Sequence, residues 1–174
     1  MIAVTILAGA CILTGSTGAG AVVANNLRRR PEDLGRLAAA LGHLETEIGY
    51  LAAPLPEALQ RVARTSAGPA RALLQGAAER LCAGDGATAA EAWLAAVAAA
   101  DPSAAWTAAD RQALLDFGAA LGASGREDQL HHLAHCRERL LALQVEARRE
   151  ADRSARIWLY LGALGGLGLL IICM

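Results

Sequence analysis

The chain has no lysine; all 16 of its basic residues are arginine. Without a lysine ammonium, a phosphate-loop lysine, a Schiff-base lysine and a lysine general base are all excluded. Aromatic side chains make up only 3%, and valine and isoleucine are scarce, which leaves little material for a sheet. The four cysteines, Cys11, Cys82, Cys136 and Cys173, lie far apart with no C-x-x-C pair. That excludes a disulfide framework and a zinc ribbon. No Gly-x-Ser-x-Gly occurs, and the acids are scattered along helix surfaces, giving no reason to name an acid/base pair. Net charge is −1, so no overall basic field is available to hold nucleic acid.

What the chain has in abundance is alanine and leucine, 42 and 28 of its 174 residues, the composition of helices. Hydrophobic residues at 55% against 19% charged place it well outside the disordered class.

Two long uncharged runs stand at the ends. Residues 2–24 carry no charge and, as a helix, reach ~34 Å, enough for a hydrocarbon core of about 30 Å. Residues 157–174 form the second run, reaching ~27 Å. Trp158 and Tyr160 stand at its start, as interfacial aromatics do. No basic residue precedes the first run, and Arg28, Arg29 and Arg30 follow it, the reverse of a secretory signal peptide. Arg148, Arg149, Arg153 and Arg156 crowd the approach to the second. Both clusters flank the middle of the chain, so the positive-inside rule predicts a cytoplasmic segment at 25–156 with both termini outside. Gly162 and Gly166 form a G-x-x-x-G step, and Gly15 with Ala19 a small-xxx-small step, both suited to close helix contact in lipid. The stretch GSTGAG at 15–20 lacks the Gly-Lys-Ser/Thr ending of a phosphate loop and lies inside the first run.

Prolines and small polar residues cut 25–156 into helices. Pro31, followed by Glu32 and Asp33, suits a first turn. Leu34, Leu37, Ala38, Leu41, Leu44 and Ile48 then recur at helical spacing, with Arg36, His43 and Glu47 off that stripe. Leu51 to Pro54 end it. Further helices are predicted at about 57–66, 69–83, 88–100 and 108–121, the last opened by a capping box of Thr107 and Asp110. Leu114, Phe117, Gly118 and Leu121 share its inner face. Residues 126–156 contain neither proline nor glycine and read as one helix running into the second span. Beyond Leu143 that helix loses its leucines and reads as a solvated stalk or a docking surface. No repeat of fixed period is apparent.

The densest cluster of chemistry-bearing residues is His131, His132, His135 and Cys136. His131 and His135 share a helical face with Glu127, an arrangement that a metal site can use. The same residues also read as a solvated helix start, and no second His or Cys cluster follows. We therefore expect no metal, no cofactor and no catalytic residue, with a small membrane-bound metal-binding protein or enzyme using His131, His135 and Cys136 as the alternative. Cys82 and Cys136 read as small buried apolar residues, and Trp93 and Trp106 as core.

The order of several short motifs resembles the stage III sporulation protein AB family of spore-forming Firmicutes. The resemblance begins at Arg30-Pro31 and continues through Leu34-Gly35-Arg36-Leu37 and the stretch from Ala40 to Tyr50, which includes Glu45 and Glu47. It proceeds through Pro54 to Leu59, Ala90-Glu91-Ala92-Trp93, Phe117-Gly118-Ala119-Ala120-Leu121-Gly122 and Gln129, and closes on Leu161 to Gly166. The loop Ala123-Ser124-Gly125-Arg126 diverges from the family pattern. The resemblance implies an all-α protein: a cytoplasmic bundle of about six helices, similar to the platform F domain of type II secretion and type IV pilus machines, flanked by an N-terminal and a C-terminal transmembrane helix. It also implies a non-enzymatic role in a channel complex between mother cell and forespore, in the mother-cell membrane. The implied partners are an AA-type secretion ATPase of the same operon and the other membrane proteins of that complex. On this resemblance Arg30, Pro31, Glu45, Glu47, Phe117, Gly118, Leu121 and Gly122 form the partner-docking or structural set, and Gly162 and Gly166 pack within the membrane.

Overall fold

Six helices and no strand are present among the described residues of the computed structural model, which are 29–84, 86–100, 104–121 and 125–172; Arg126 and residues from 158 on are described by backbone alone. The helices are α1 (29–49), α2 (Leu55–Thr65), α3 (Gly68–Cys82), α4 (Ala89–Ala98), α5 (Ala108–Ala120) and α6 (Arg126–Ile172). Arg30–Val145 form one compact unit, and the chain from Glu146 on belongs to another.

Local sequence explains most boundaries. Pro54 caps α2 and Pro56 lies in its first turn, where a missing N–H costs nothing. The helix ends where the Thr65 and Ser66 hydroxyls donate back to the Val62 carbonyl, at 3.0 and 2.7 Å. Gly68, at φ +61°, then turns the chain into α3 through a conformation that a side chain would resist. Both α4 and α5 open with complete capping boxes, Thr88 with Glu91 and Thr107 with Asp110. The first of these was not read from the sequence, although Thr88-x-x-Glu91 carries its signature.

Each helix buries one stripe. On α1, Leu34, Leu37, Ala38, Leu41, Leu44 and Ile48 are buried, the stripe expected from their spacing. Leu59 and Val62 of α2, Leu73 and Leu74 of α3, Trp93 and Val97 of α4, and Leu114 and Phe117 of α5 complete the core with Leu133 and Leu140 of α6. Helices α2 to α5 pack in chain order, each on the next. Trp93 ties α4 to α5 twice, donating its indole N–H to the Leu114 carbonyl at 2.8 Å and meeting the Phe117 ring edge-on at 5.0 Å. Trp106 is buried as well.

Helices α1 and α6 run antiparallel, joined along a seven-residue spacing. Gly35, Gly42 and Gly49 of α1 lie against Gln144, Arg137 and Leu130 of α6. Two turns of helix separate successive members on each side, so three contacts recur in register. At Gly35 the Gln144 amide occupies the space a β-carbon would need. A short glycine period therefore does exist in α1, where none was expected.

Two expectations need correction. Cys82 is exposed rather than buried. It is the last residue of α3, and the chain turns off through Ala83 and Gly84, both exposed, which leaves its sulfur at the surface with the Gln60 amide donating to it at 3.5 Å. The stretch 146–156 is helical with exposed charges, but Ala147 and Ala151, four apart, are buried, so it is not a solvated stalk on every face.

The first predicted span, 2–24, lies outside the described residues. The second falls on the end of α6, helical through Ile172, with Cys173 and Met174 outside them. Among the described residues no helix is long and apolar enough to cross a membrane. Gly122 also lies outside the described residues, and the side chains of Trp158 and Tyr160 are not described.

Candidate docking surface

The residues singled out by sequence divide into a buried set and a surface set. Arg30, in the first described turn of α1, reaches across to the start of α5. Its Nε and NH2 groups grip the two carboxylate oxygens of Asp110 at 2.9 and 3.1 Å, and NH2 also meets the Thr107 hydroxyl at 3.3 Å. The Asp110 side chain is fully buried and that of Arg30 largely so. Asp110 is thus the N3 acid of a capping box and the acceptor of a bidentate guanidinium at once. Burial by itself would push the Asp110 carboxyl up. Hydrogen bonds from Arg30 and from the Thr107 backbone and hydroxyl, with the Arg30 charge, outweigh it and hold the group below the usual carboxylate range.

Pro31, Phe117, Gly118 and Leu121 are buried in the core. Gly118 is there for want of space: a β-carbon would stand 2.5 Å from Trp93 Cδ1. Glu45 and Glu47, on α1, are half-buried and each holds a neighbouring helix, Glu45 facing Arg137 of α6 at 3.5 Å and Glu47 facing Arg61 of α2 at 3.1 Å. Arg139 of α6 pairs with Asp116 of α5 at 2.6 Å. None of the last three pairs is visible from sequence spacing, because each joins residues on different helices.

The histidine–cysteine cluster does not converge. His131, His132 and His135 are exposed on α6, whereas Cys136, the next residue, is buried with its thiol directed at the Ala113 carbonyl, 3.6 Å away. One residue of helix turns the side chain by about 100°, which separates the sulfur from the imidazoles. Among the described residues no group of three or more His, Cys, Asp or Glu could hold a metal ion.

Burial pushes the Cys136 thiol up to about 12, with the Arg139 charge opposing and Asp116 adding to the shift. At pH 8 its thiolate fraction is then on the order of 10⁻⁴. In a chain carrying Cys11→Ser and Cys173→Ser, a disulfide reagent at pH 8 should label one thiol quickly, and Cys82→Ser should abolish that fast phase. Cys136 should react only after denaturation. Rapid labelling of two thiols in the folded protein would contradict this arrangement.

The sequence and the fold match known proteins. The family model for stage III sporulation protein AB matches residues 5–174. The chain belongs to that family. A curated relative, stage III sporulation protein AB of Bacillus subtilis (strain 168), is 28% identical over 169 residues, spanning 97% of this chain and 98% of the relative. A solved structure of stage III sporulation protein AB (SpoIIIAB) superposes with a TM-score of 0.66 at 28% identity, covering 71% of this chain and 97% of that one. A role in sporulation follows from membership. Within this AB-family chain, Arg30, Glu45 and Glu47 are partly exposed and link helices, whereas Pro31, Phe117, Gly118 and Leu121 are buried.

Proposed function

We propose that the chain is a non-enzymatic membrane platform subunit of the sporulation channel complex between mother cell and forespore, and that its helical unit docks a secretion-type ATPase. One observation carries this reading. In this member of the AB family the ion pairs Arg30–Asp110, Glu47–Arg61, Glu45–Arg137 and Arg139–Asp116 each join two different helices, and none of them surrounds a reactive group. The arginine clusters that flank the uncharged runs 2–24 and 157–174 on the side of the middle segment support a two-pass anchor with 25–156 in the cytoplasm. Gly162 and Gly166 then serve helix contact within the bilayer.

The full chain, extracted from membranes in mild detergent, should retain the operon's ATPase on affinity capture, and its deletion should block sporulation. Failure of capture together with normal sporulation would overturn the proposal. In the same strain a reporter fused after Met174 should read as extracytoplasmic and one inserted at 84–87 as cytoplasmic. The opposite pattern would overturn the topology.

A further inference from the structure

Two grooves flank α2, and they differ in how their charges are satisfied. On the α1 side a groove of about 350 Å³ runs past His43, Thr46, Glu47 and Arg61. Its arginine is neutralised within the chain, Arg61 meeting both Glu47 at 3.1 Å and Glu57 at 3.4 Å. On the α3 side a groove of about 280 Å³ is lined by Arg64 and Arg71, with the amides of Gln60 and Gln75. Its acid, Glu79, already accepts from the Gln75 amide at 2.8 Å. Both arginines are exposed, and among the described residues neither pairs with a carboxylate.

The position of Arg71 sharpens the contrast. It lies near the start of α3, whose first turn contains no acid and whose N-cap residue, Ala67, offers no side-chain cap. A cation there opposes the helix dipole, and Arg64 across the groove adds like charge. Among the other arginines of this unit, Arg30, Arg36, Arg61, Arg137 and Arg139 each face an acid of the chain, whereas Arg80 and Arg111 face none among the described residues, and neither of those two lines a groove beside α2. Ala63 and Ala78 are buried at the groove's floor, and their methyl groups let a second backbone come close.

We infer that the α2–α3 groove receives an acidic segment of the docked ATPase, whose carboxylates are taken up by Arg64 and Arg71. The inference rests on the platform reading and names the surface that reading leaves open. A planar guanidinium holds a carboxylate through two parallel N–H···O bonds, which gives orientation as well as attraction. The Gln60 and Gln75 amides each donate one N–H within the chain, to the Cys82 sulfur at 3.5 Å and to Glu79, and keep the other for oxygens of the same segment.

The test is a binding titration of the ATPase on the full chain in detergent micelles. Arg64→Glu with Arg71→Glu should weaken binding at least ~10-fold, and binding by the unaltered chain should fall as salt rises. Lysine at both positions should restore it only in part, since an ammonium lacks the paired geometry. Arg80→Glu, outside the groove, should leave binding unchanged, whereas Arg64→Glu or Arg71→Glu alone, the same charge change within it, should each weaken binding. Equal binding by the double glutamate variant at unaltered helicity and melting would overturn the inference and leave the platform reading standing. So would an equal loss in Arg80→Glu, which would reduce the effect to net charge. If the unaltered chain does not bind the ATPase, both fall together.

Discussion

Replacing Asp110 with alanine is expected to destabilise the Arg30–Val145 unit by about 3 kcal/mol or more, because it takes the carboxylate away from a largely buried guanidinium. The same substitution removes the N3 acid of the α5 capping box, a loss of about 1 kcal/mol on its own. Domains of this size are stable by only about 5–15 kcal/mol, so the melting temperature of the full chain's helical signal should fall by many degrees. Arg30→Ala should cost a similar amount, since it leaves a fully buried carboxylate without its fork. The double variant Arg30→Ala with Asp110→Ala should be less unstable than the two losses added together, because neither charge is then stranded. Strict additivity would show that the two side chains are not coupled.

The pH dependence has a definite sign. The folded-state pKa of Asp110 is lowered, so the ionised carboxylate contributes stability that is complete above the ordinary carboxylate value of about 3.9. That contribution is lost as pH falls through the lower folded-state pKa. Asp110→Asn should therefore differ most from the unaltered protein near neutral pH and progressively less in acid. A gap that widened on acidification would contradict the ion pair.

How much of this was legible in the residues depends on the range of the signal. The break at Pro54, the helix start near 69, the box at Thr107 and Asp110, and the stripe from Leu34 to Ile48 are local, and each of them appears in the structure where the sequence places it, to within a few residues. Asp110 could be recognised as a cap. Its second role could not, because Arg30 lies 80 residues away and no local rule pairs them. Glu47 with Arg61 and Arg139 with Asp116 were hidden for the same reason. The spacing of Gly35, Gly42 and Gly49 was visible, yet glycine weakens a helix in isolation, and only the approach of α6 gives it a purpose. The histidines could be read two ways, since periodicity puts His131 and His135 on one face and the same stretch reads as a solvated helix start. In the structure that face is exposed and Cys136, read as buried, turns inward.

Trp93→Ala is expected to have an effect of comparable size, about 3–5 kcal/mol, through lost transfer energy and the cavity it leaves. The indole is 1% exposed, stands edge-on to Phe117, and satisfies the Leu114 carbonyl. Trp93→Phe keeps most of the volume but drops the N–H, so it should cost less than the alanine variant and more than the volume change alone. Gly118 supplies the complementary test. An alanine there would put its β-carbon 2.5 Å from Trp93 Cδ1 and 3.1 Å from Leu94 Cδ2, and the overpacking should cost about 1–3 kcal/mol despite alanine's better helix propensity. Shrinking the indole makes room for that methyl group. The cost of Gly118→Ala should therefore be smaller in a Trp93→Phe or Trp93→Ala background than in the unaltered chain, as a double-mutant cycle on melting would show. If Gly118→Ala costs the same in all three backgrounds, the glycine is required by something other than the ring beside it.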